Sequence, residues 1–193
     1  MKKDYTVSVL SDYSRLDEIY RLTHDAFVLS GEILPQGDGM INTCPHLDNH
    51  PNTIIVIAEL KGEIIGTITA TVDSSVGLNI ENWFKNEVDE YRRADSYNLG
   101  SSWRLATISS FRGSRMLIVD LISKAFELLI EAGCTICLCA LMNKHIRSYQ
   151  RLMDAKIVLT KNVEFNQGIP MELNLMEIDL GEGWSMFKQL KTG

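Results

Sequence analysis

The chain has 193 residues, enough for one sizeable core and short for two. Its 45% apolar and 23% charged content is that of an ordinary soluble globular domain, and a formal net charge of −6 argues against a nucleic-acid binder held by bulk charge. No stretch approaches the ~20 apolar residues of a membrane helix, and the opening MKKDYTVSVL has no apolar run long enough for a signal peptide, so a cytoplasmic protein with no membrane span is expected.

Tyr5 to Leu10 alternates and reads as an opening strand. Ser14 is placed to cap a helix with Leu16, Ile19, Tyr20, Thr23, Ala26 and Phe27 on its apolar positions, Asp17 and Glu18 in its first turn, and Gly31 at its end. Residues 31–53 carry Gly, Pro, Asn and His without periodicity and read as a loop. A loop that long often serves function or hides a short element. His46, Asp48 and His50 lie in it; a metal site and a solvated loop are both open readings, the second the simpler. Thr53 to Leu60 and Ile64 to Val72 are apolar runs parted by Lys61-Gly62, a β-hairpin with a tight turn. Residues 77–93 fit an amphipathic helix with Leu78, Ile80, Phe84, Val88 and Tyr91 on one side.

Leu99 to Ile108 reads as a strand that leads through two serines and the basic turn Arg112-Gly113-Ser114-Arg115 into a long helix. From Met116 to Glu131 the polar positions Asp120, Ser123, Lys124, Glu127 and Glu131 recur as one wet stripe on a helix otherwise apolar, and Gly133 suits its stop. A Gly turn at a helix N-terminus offers free N–H groups and a favourable dipole to phosphate, and two arginines add charge; solvated arginines at a plain α/β turn give the same pattern. Thr135 to Leu141 is a buried strand. Asn143 to Met153 is a short helix with Ile146 and Tyr149 on one face. Lys156 to Thr160 and Met171 to Ile178 form a long hairpin, and the tail from about Gly181 has no evident partner. Nothing repeats and no linker splits the chain, so residues 1–193 are expected to form one domain.

Two compositional features bear on chemistry. From Arg104 to Met153 there are seven Lys/Arg against three Asp/Glu, a basic segment in an acidic chain that suits a phosphorylated cofactor or an acidic partner. Cys134, Cys137 and Cys139 fall in a strand-like run, and Cys134-x-x-Cys137 has half the spacing of a zinc site with no second pair to answer it. Buried free thiols, with Cys44 a fourth, are therefore expected rather than a metal.

The strand–helix–strand at 100–141 implies a parallel pair with a right-handed crossover, and the rest implies antiparallel pairing: an α/β fold with a mixed, mostly antiparallel sheet flanked by helices. That order, with a basic Gly turn opening the central helix, resembles the GNAT acyltransferases. More narrowly, several pieces in order resemble the long-chain N-acyl amino acid synthases and, more distantly, the acyl-homoserine-lactone synthases. The pieces are Arg21 with Phe27, Asp48 before Pro51-Asn52-Thr53, Gly62 with Gly66-Thr67, Asp73 with Gly77-Leu78, Glu87 with Arg92, Leu105-Ala106 before Arg112-Gly113-Ser114, Asn143, His145-x-x-x-Tyr149-x-Arg151, and Gly168-x-Pro170. The match runs over roughly residues 20–180.

The resemblance implies an enzyme, an N-acyltransferase. Its co-substrate would be an acyl-phosphopantetheine thioester, on acyl carrier protein or coenzyme A, with a small amine such as an amino acid as acceptor and no metal. Acyl carrier protein would be a partner; nucleic acid would not. By the same resemblance, Leu105, Ala106, Thr107, Ile108, Arg112, Gly113, Ser114, Arg115 and Asn143 would hold the donor, strand N–H groups at 105–108 would stabilise the carbonyl oxygen, and Tyr149 would protonate the leaving thiolate. Tyr149 beside Ile146 and Leu152 would equally serve to pack its helix. Trp83, Phe84 and Trp103 could line an acyl slot or be plain core. The related synthases carry an acidic residue where this chain has Ser101, so Ser101 marks the catalytic position that departs. Glu81 or Asp73 is left to stand in, His24 is a candidate base, or the acceptor differs, or turnover is lost. A short-chain acetyltransferase using acetyl-CoA and a non-catalytic thioester- or partner-binding protein are the alternative functions.

Overall fold

The computed structural model describes residues 4–94, 96–111, 114–165, 169–184 and 187. Seven strands form one sheet: β1 (Thr6–Val9), β2 (Thr53–Leu60), β3 (Glu63–Val72), β4 (Leu99–Thr107), β5 (Ile136–Met142), β6 (Lys156–Phe165) and β7 (Ile169–Asp179), in the spatial order β1-β2-β3-β4-β5-β7-β6. Every neighbouring pair is antiparallel except β4 with β5. The helices are α1 (Leu16–Ser30), α2 (Pro45–Asp48), α3 (Glu81–Arg93), α4 (Arg115–Glu131) and α5 (Asn143–Met153). The mixed α/β sheet and its single parallel crossover are therefore as expected from the sequence.

Local chemistry explains the boundaries. Gly31 and Gly133 take left-handed backbone, at φ +74° and +85°, just past α1 and α4, where a Cβ would be strained. Ser114 caps α4 by accepting the Leu117 N–H. At the start of α1 the expected cap is displaced. A 3-10 turn, Tyr13–Arg15, precedes the helix, and Asp12 accepts from the Ser14 backbone and hydroxyl at 3.0 and 2.6 Å. The segment 31–53 hides α2, which Pro45 opens at its first turn.

Strand alternation sorts the helices onto two faces. Val56, Ala58, Ile68 and Ala70 pack with Leu117, Leu121 and Phe126 of α4 and Tyr149 of α5. Ile55, Ile57 and Ile64 pack with Ile19 and Leu22 of α1, and Leu138 and Leu175 pack with Phe84 and Val88 of α3. So α4 and α5 cover one face, and α1 and α3 the other. Two expectations change here. The α4 stripe is not fully wet: Asp120 and Ser123 are buried, Asp120 accepting the Tyr5 hydroxyl at 2.8 Å and Ser123 donating to the Val119 carbonyl. The tail finds a partner, since Trp184 stacks on Phe187 and meets Phe126 of α4.

The parallel pair is short. β4 and β5 are matched only at Leu99, Gly100 and Ser101 against Ile136, Cys137 and Leu138. A Cβ on Gly100 would sit 2.7 Å from Leu129, so α4 presses closest where the strands still touch. Beyond Ser101 and Leu138 the two strands part, each still paired on its outer side, β4 to β3 and β5 to β7. The sheet is thus open from face to face along 102–107.

Candidate active site

A cavity of about 840 Å³ fills that opening. Its walls come from both faces: Phe27 of α1 and Trp83 of α3 on one, Arg115, Ile118 and Val119 of α4 with Tyr149 of α5 on the other. The sheet edge itself supplies Ser102 to Thr107 and Ala140 to Met142. The volume lies toward the upper end of ordinary small-molecule sites. The interior is mainly apolar, and Arg115, Arg147 and Arg151 bring positive charge to it. Among the described residues, no group of three or more His, Cys, Asp or Glu is arranged to hold a metal.

Of the residues singled out from sequence, the cavity gathers Leu105, Ala106, Thr107, Arg115 and Tyr149. Others lie off its wall. The Ile108 N–H is spent on the Ile65 carbonyl at 3.0 Å, toward β3. Strand alternation then turns the Thr107 N–H the opposite way, to the unpaired side of β4. Ser114 is occupied as the cap of α4. Asn143 accepts from the Asn174 amide at 2.7 Å and donates to Glu172. Ser101 is fully buried and donates to Asn79 Oδ1 at 2.7 Å; Asn79, not Ser101, reaches the cavity. Arg112 and Gly113 lie outside the described residues. Trp83 and Trp103 line the cavity, whereas Phe84 is core, with Lys161 5.1 Å above its ring.

Tyr149 is buried in the core and is also among the residues that line the cavity, so packing and access coexist. Burial, with the Cys139 and Cys137 thiols nearby, pushes its phenol well above the usual tyrosine value. It stays protonated throughout the working pH range. The thiols themselves are free and buried: burial lifts Cys134 to about 11 and Cys137 to about 12, which leaves them inert.

The stand-in carboxylates and the candidate base are committed elsewhere. Asp73 and Glu81 both hold Arg92, at 2.6 and 2.5 Å. His24 Nε2 accepts the Gln36 N–H at 2.9 Å, which places the ring proton on Nδ1 facing Asp25. Neither ring nitrogen is available as a base. The carboxylate that does line the cavity is Glu32, which sequence reading passed over as loop. Burial alone would push its pKa up, but hydrogen bonds from His145, Ser30 and Lys144 outweigh that and hold it below the ordinary carboxylate value. With Lys144 at 3.0 Å it ties the end of α1 to α5.

The second feature missed from sequence is the guanidinium of Arg104. A β-bulge shifts the β3–β4 register here, and Arg104 takes left-handed backbone at φ +54°. For a non-glycine residue that conformation costs on the order of 1–3 kcal/mol. The bulge brings the Trp103 and Arg104 side chains together on the α1 face, with the guanidinium 4.5 Å from the Trp103 ring. Nη2 meets Asp48 Oδ1 at 2.5 Å, Nε and Nη2 meet Thr69, and Asp48 accepts the Tyr20 hydroxyl at 2.8 Å. Both charged side chains are 1% exposed. Asp48, expected in a solvated loop, is therefore one half of a buried ion pair. Among the described residues Arg104 Nη1 has no hydrogen-bond partner and is closed to solvent.

This architecture has relatives. The structure of FeeM, an N-acyl amino acid synthase from uncultured soil microbes, superposes with a TM-score of 0.79 at 13% identity, over 98% of each chain. TofI, solved in a ternary complex with an inhibitor and MTA, gives 0.69 at 15% identity over 96% of this chain and 97% of that one. The AHL synthase LasI gives 0.68 at 14% identity over 95% and 94%. No curated protein sequence matches the chain. The family model for the N-acyl amino acid synthase FeeM matches residues 18–179. The chain belongs to the FeeM family of N-acyl amino acid synthases, GNAT-like N-acyltransferases that move an acyl group from a thioester to an amine.

Proposed function

We propose that the donor is a long-chain acyl-phosphopantetheine thioester, carried by an acidic acyl carrier protein or by coenzyme A, and that it enters the sheet opening from the α4–α5 face while a small amine enters from the α1–α3 face. The observation that carries this reading is the cavity itself: it is mainly apolar, about 840 Å³, crosses the sheet between β4 and β5, and meets Arg115, Arg147 and Arg151. A pantetheine arm laid along the free edge of β4 would find unpaired peptide groups there. The basic side chains suit the phosphate or an acidic carrier.

In the transfer, the neutral amine nitrogen attacks the thioester carbon. The carbonyl oxygen gathers charge and is met by N–H groups of β4, with Thr107 favoured by its direction. The new C–N bond forms, the C–S bond breaks, and the proton lost by nitrogen ends on sulfur. Tyr149 is placed to bridge that last movement, since its phenol is protonated and among the described residues is tied up by no hydrogen bond. Ser101, where relatives carry an acid, acts through Asn79 at most. The site thus holds the amine without a carboxylate at that position.

Two measurements test the proposal. A ligand that binds only the folded state raises the melting temperature. Palmitoyl-CoA or palmitoyl carrier protein should therefore shift it by several degrees more than acetyl-CoA does. Equal shifts would instead indicate a short-chain acetyltransferase, and no shift with any donor a lost donor site. Tyr149→Phe should lower kcat about 100-fold with KM for the donor held; unchanged kcat would remove Tyr149 from the chemistry.

A further inference from the structure

We infer that His145, held by Glu32, is the base that takes a proton from the incoming ammonium, so that the chain makes its own neutral nucleophile. This rests on the acyl-transfer reading above. An amine of ordinary basicity reaches the protein as an ammonium ion at neutral pH, and that nitrogen has no lone pair with which to attack. Where relatives carry an acid this chain has Ser101, which donates to Asn79, and Asp73, Glu81 and His24 are committed elsewhere. Among the described residues of the cavity wall, the other titratable groups are unsuited. Arginines keep their protons. Burial holds the Cys44 thiol and the Tyr149 phenol in their protonated forms. Glu32 sits below the ordinary carboxylate value and is too weak a base to hold an amine proton. His145 remains. It lines the cavity with its side chain 48% exposed, and imidazole is the side chain that ordinarily exchanges a proton near neutral pH.

The placement suits the task. His145 Nε2 lies 3.7 Å from Glu32 Oε1. Glu32 is itself fixed by the Ser30 hydroxyl at 2.8 Å and by Lys144 at 3.0 Å. A carboxylate beside one ring nitrogen orients that N–H and leaves the lone pair on the other, here Nδ1, to take the proton. Glu32 follows α1 and His145 begins α5, helices on opposite faces of the sheet, so the pair crosses the opening where acceptor and donor would meet. Tyr149 stands one turn further along α5, on the same side as His145. The step balances. An ammonium N–H bond breaks, the imidazole becomes imidazolium beside Glu32, and the freed lone pair forms the C–N bond. With a second proton passing from nitrogen to sulfur, ammonium and thioester become amide, thiol and one proton, which the half-exposed ring returns to water. The charged groups that share this end of the cavity are Glu32 and Lys144, with Arg147 and Arg151 of α5 and Arg115 of α4. Lysine and arginine ordinarily titrate above pH 10, and Glu32 titrates well below neutrality.

The test uses the full chain with a dodecanoyl thioester, presented both on coenzyme A and on a purified acyl carrier protein. The acceptor is a limiting, equimolar mixture of the proteinogenic amino acids, with products read by mass spectrometry from about pH 6.5 to about pH 9. His145→Gln keeps a polar side chain beside Glu32 and removes the base. The ring is half exposed in the first turn of α5, so the variant should fold, which its melting temperature checks. At pH 7 it should be slower by about 100-fold, with KM for the donor held. It can use only the amine that is already neutral in solution, so its deficit should shrink by about tenfold for each unit of rising pH toward the amine's own pKa. A loss of packing gives no such recovery. Glu32→Gln, which acts through His145, should lower the rate by about tenfold alone and by nothing further once His145 is Gln. A deficit equal at every pH would overturn the inference and make His145 structural. Full activity of His145→Gln at pH 7 would also overturn it, and either result leaves acyl transfer standing. No product from the unaltered chain with any acceptor would sink the transfer reading and this inference with it.

Discussion

Two arginines, both meeting carboxylates, show how one chemistry serves two ends. Arg92, on α3, has every guanidinium nitrogen occupied: Nε and Nη2 clasp Asp73 at 2.8 and 2.6 Å, Nη2 also meets Glu81, and Nη1 meets Asp89 at 2.8 Å. Glu81 in turn accepts the Leu78 N–H, so the cluster binds the start of α3 to the loop after β3. The Arg92 side chain is 28% exposed. Among the described residues Arg104 has one carboxylate and one nitrogen without a partner, with almost no exposure and a left-handed backbone. A saturated cluster at the surface is fastening. A cluster buried away from water is a different matter, because losing its carboxylate leaves the guanidinium charge uncompensated where water cannot reach it.

The largest expected effect breaks the buried pair from its acidic side. Asp48→Ala leaves a guanidinium without a counter-charge and a Tyr20 hydroxyl without an acceptor. Urea unfolding should report a loss of about 3–5 kcal/mol. Asp73→Ala removes two bonds from Arg92 but leaves Glu81 and Asp89 on it, near solvent, and should lose only about 1 kcal/mol. Comparable losses in the two variants would erase the distinction drawn between the clusters.

The same contrast accounts for what could be read ahead of the structure. Hydrophobic period, turn residues and helix stops are local, and they located all seven strands and the four longer helices, although β6 runs five residues past the Thr160 where its apolar pattern stops and α3 starts four residues after 77. The resemblance that pointed to Tyr149, Leu105 and Thr107 was a matter of order along the chain, and the fold brings those residues to one cavity. Asp48 and Arg104 were harder. They are 56 positions apart, and a buried ion pair leaves no period behind. Asp48 looked solvated because its neighbours are Pro, His and Asn; only Pro45 hinted at the short helix that carries it inward. A left-handed backbone at a strand arginine has no signature at all in side-chain identity. His24 looked like a base for the opposite reason, since its partner is a backbone N–H that no residue type announces.

The smallest effects are in pH, and the two clusters should fail at opposite ends of the scale. Burial by itself would raise the Glu81 carboxyl, but Arg92, the Leu78 N–H and Lys85 hold it below its ordinary 4.5. Between those values the unfolded chain binds the proton and the folded chain does not, so stability rises with pH across that window. The destabilisation of Glu81→Gln, about 0.5 kcal/mol at neutral pH, should therefore hold down to about pH 4.5 and fade as the pH falls toward the depressed folded value. Tyr20 is the mirror case. Burial and its bond to Asp48 push its phenol up to about 12 from 10.0. Here the folded state keeps the proton longer, so the contribution is complete below pH 10 and is lost as the pH climbs from 10 toward 12. The penalty of Tyr20→Phe should be flat to about pH 10 and then shrink. Taking the difference between each variant and the unaltered chain removes the other shifted tyrosines, Tyr5, Tyr91 and Tyr149, from the comparison. An alkaline loss for Glu81→Gln, or an acid loss for Tyr20→Phe, would mean that the two clusters communicate; separate windows would mean that the surface cluster and the buried pair are energetically independent.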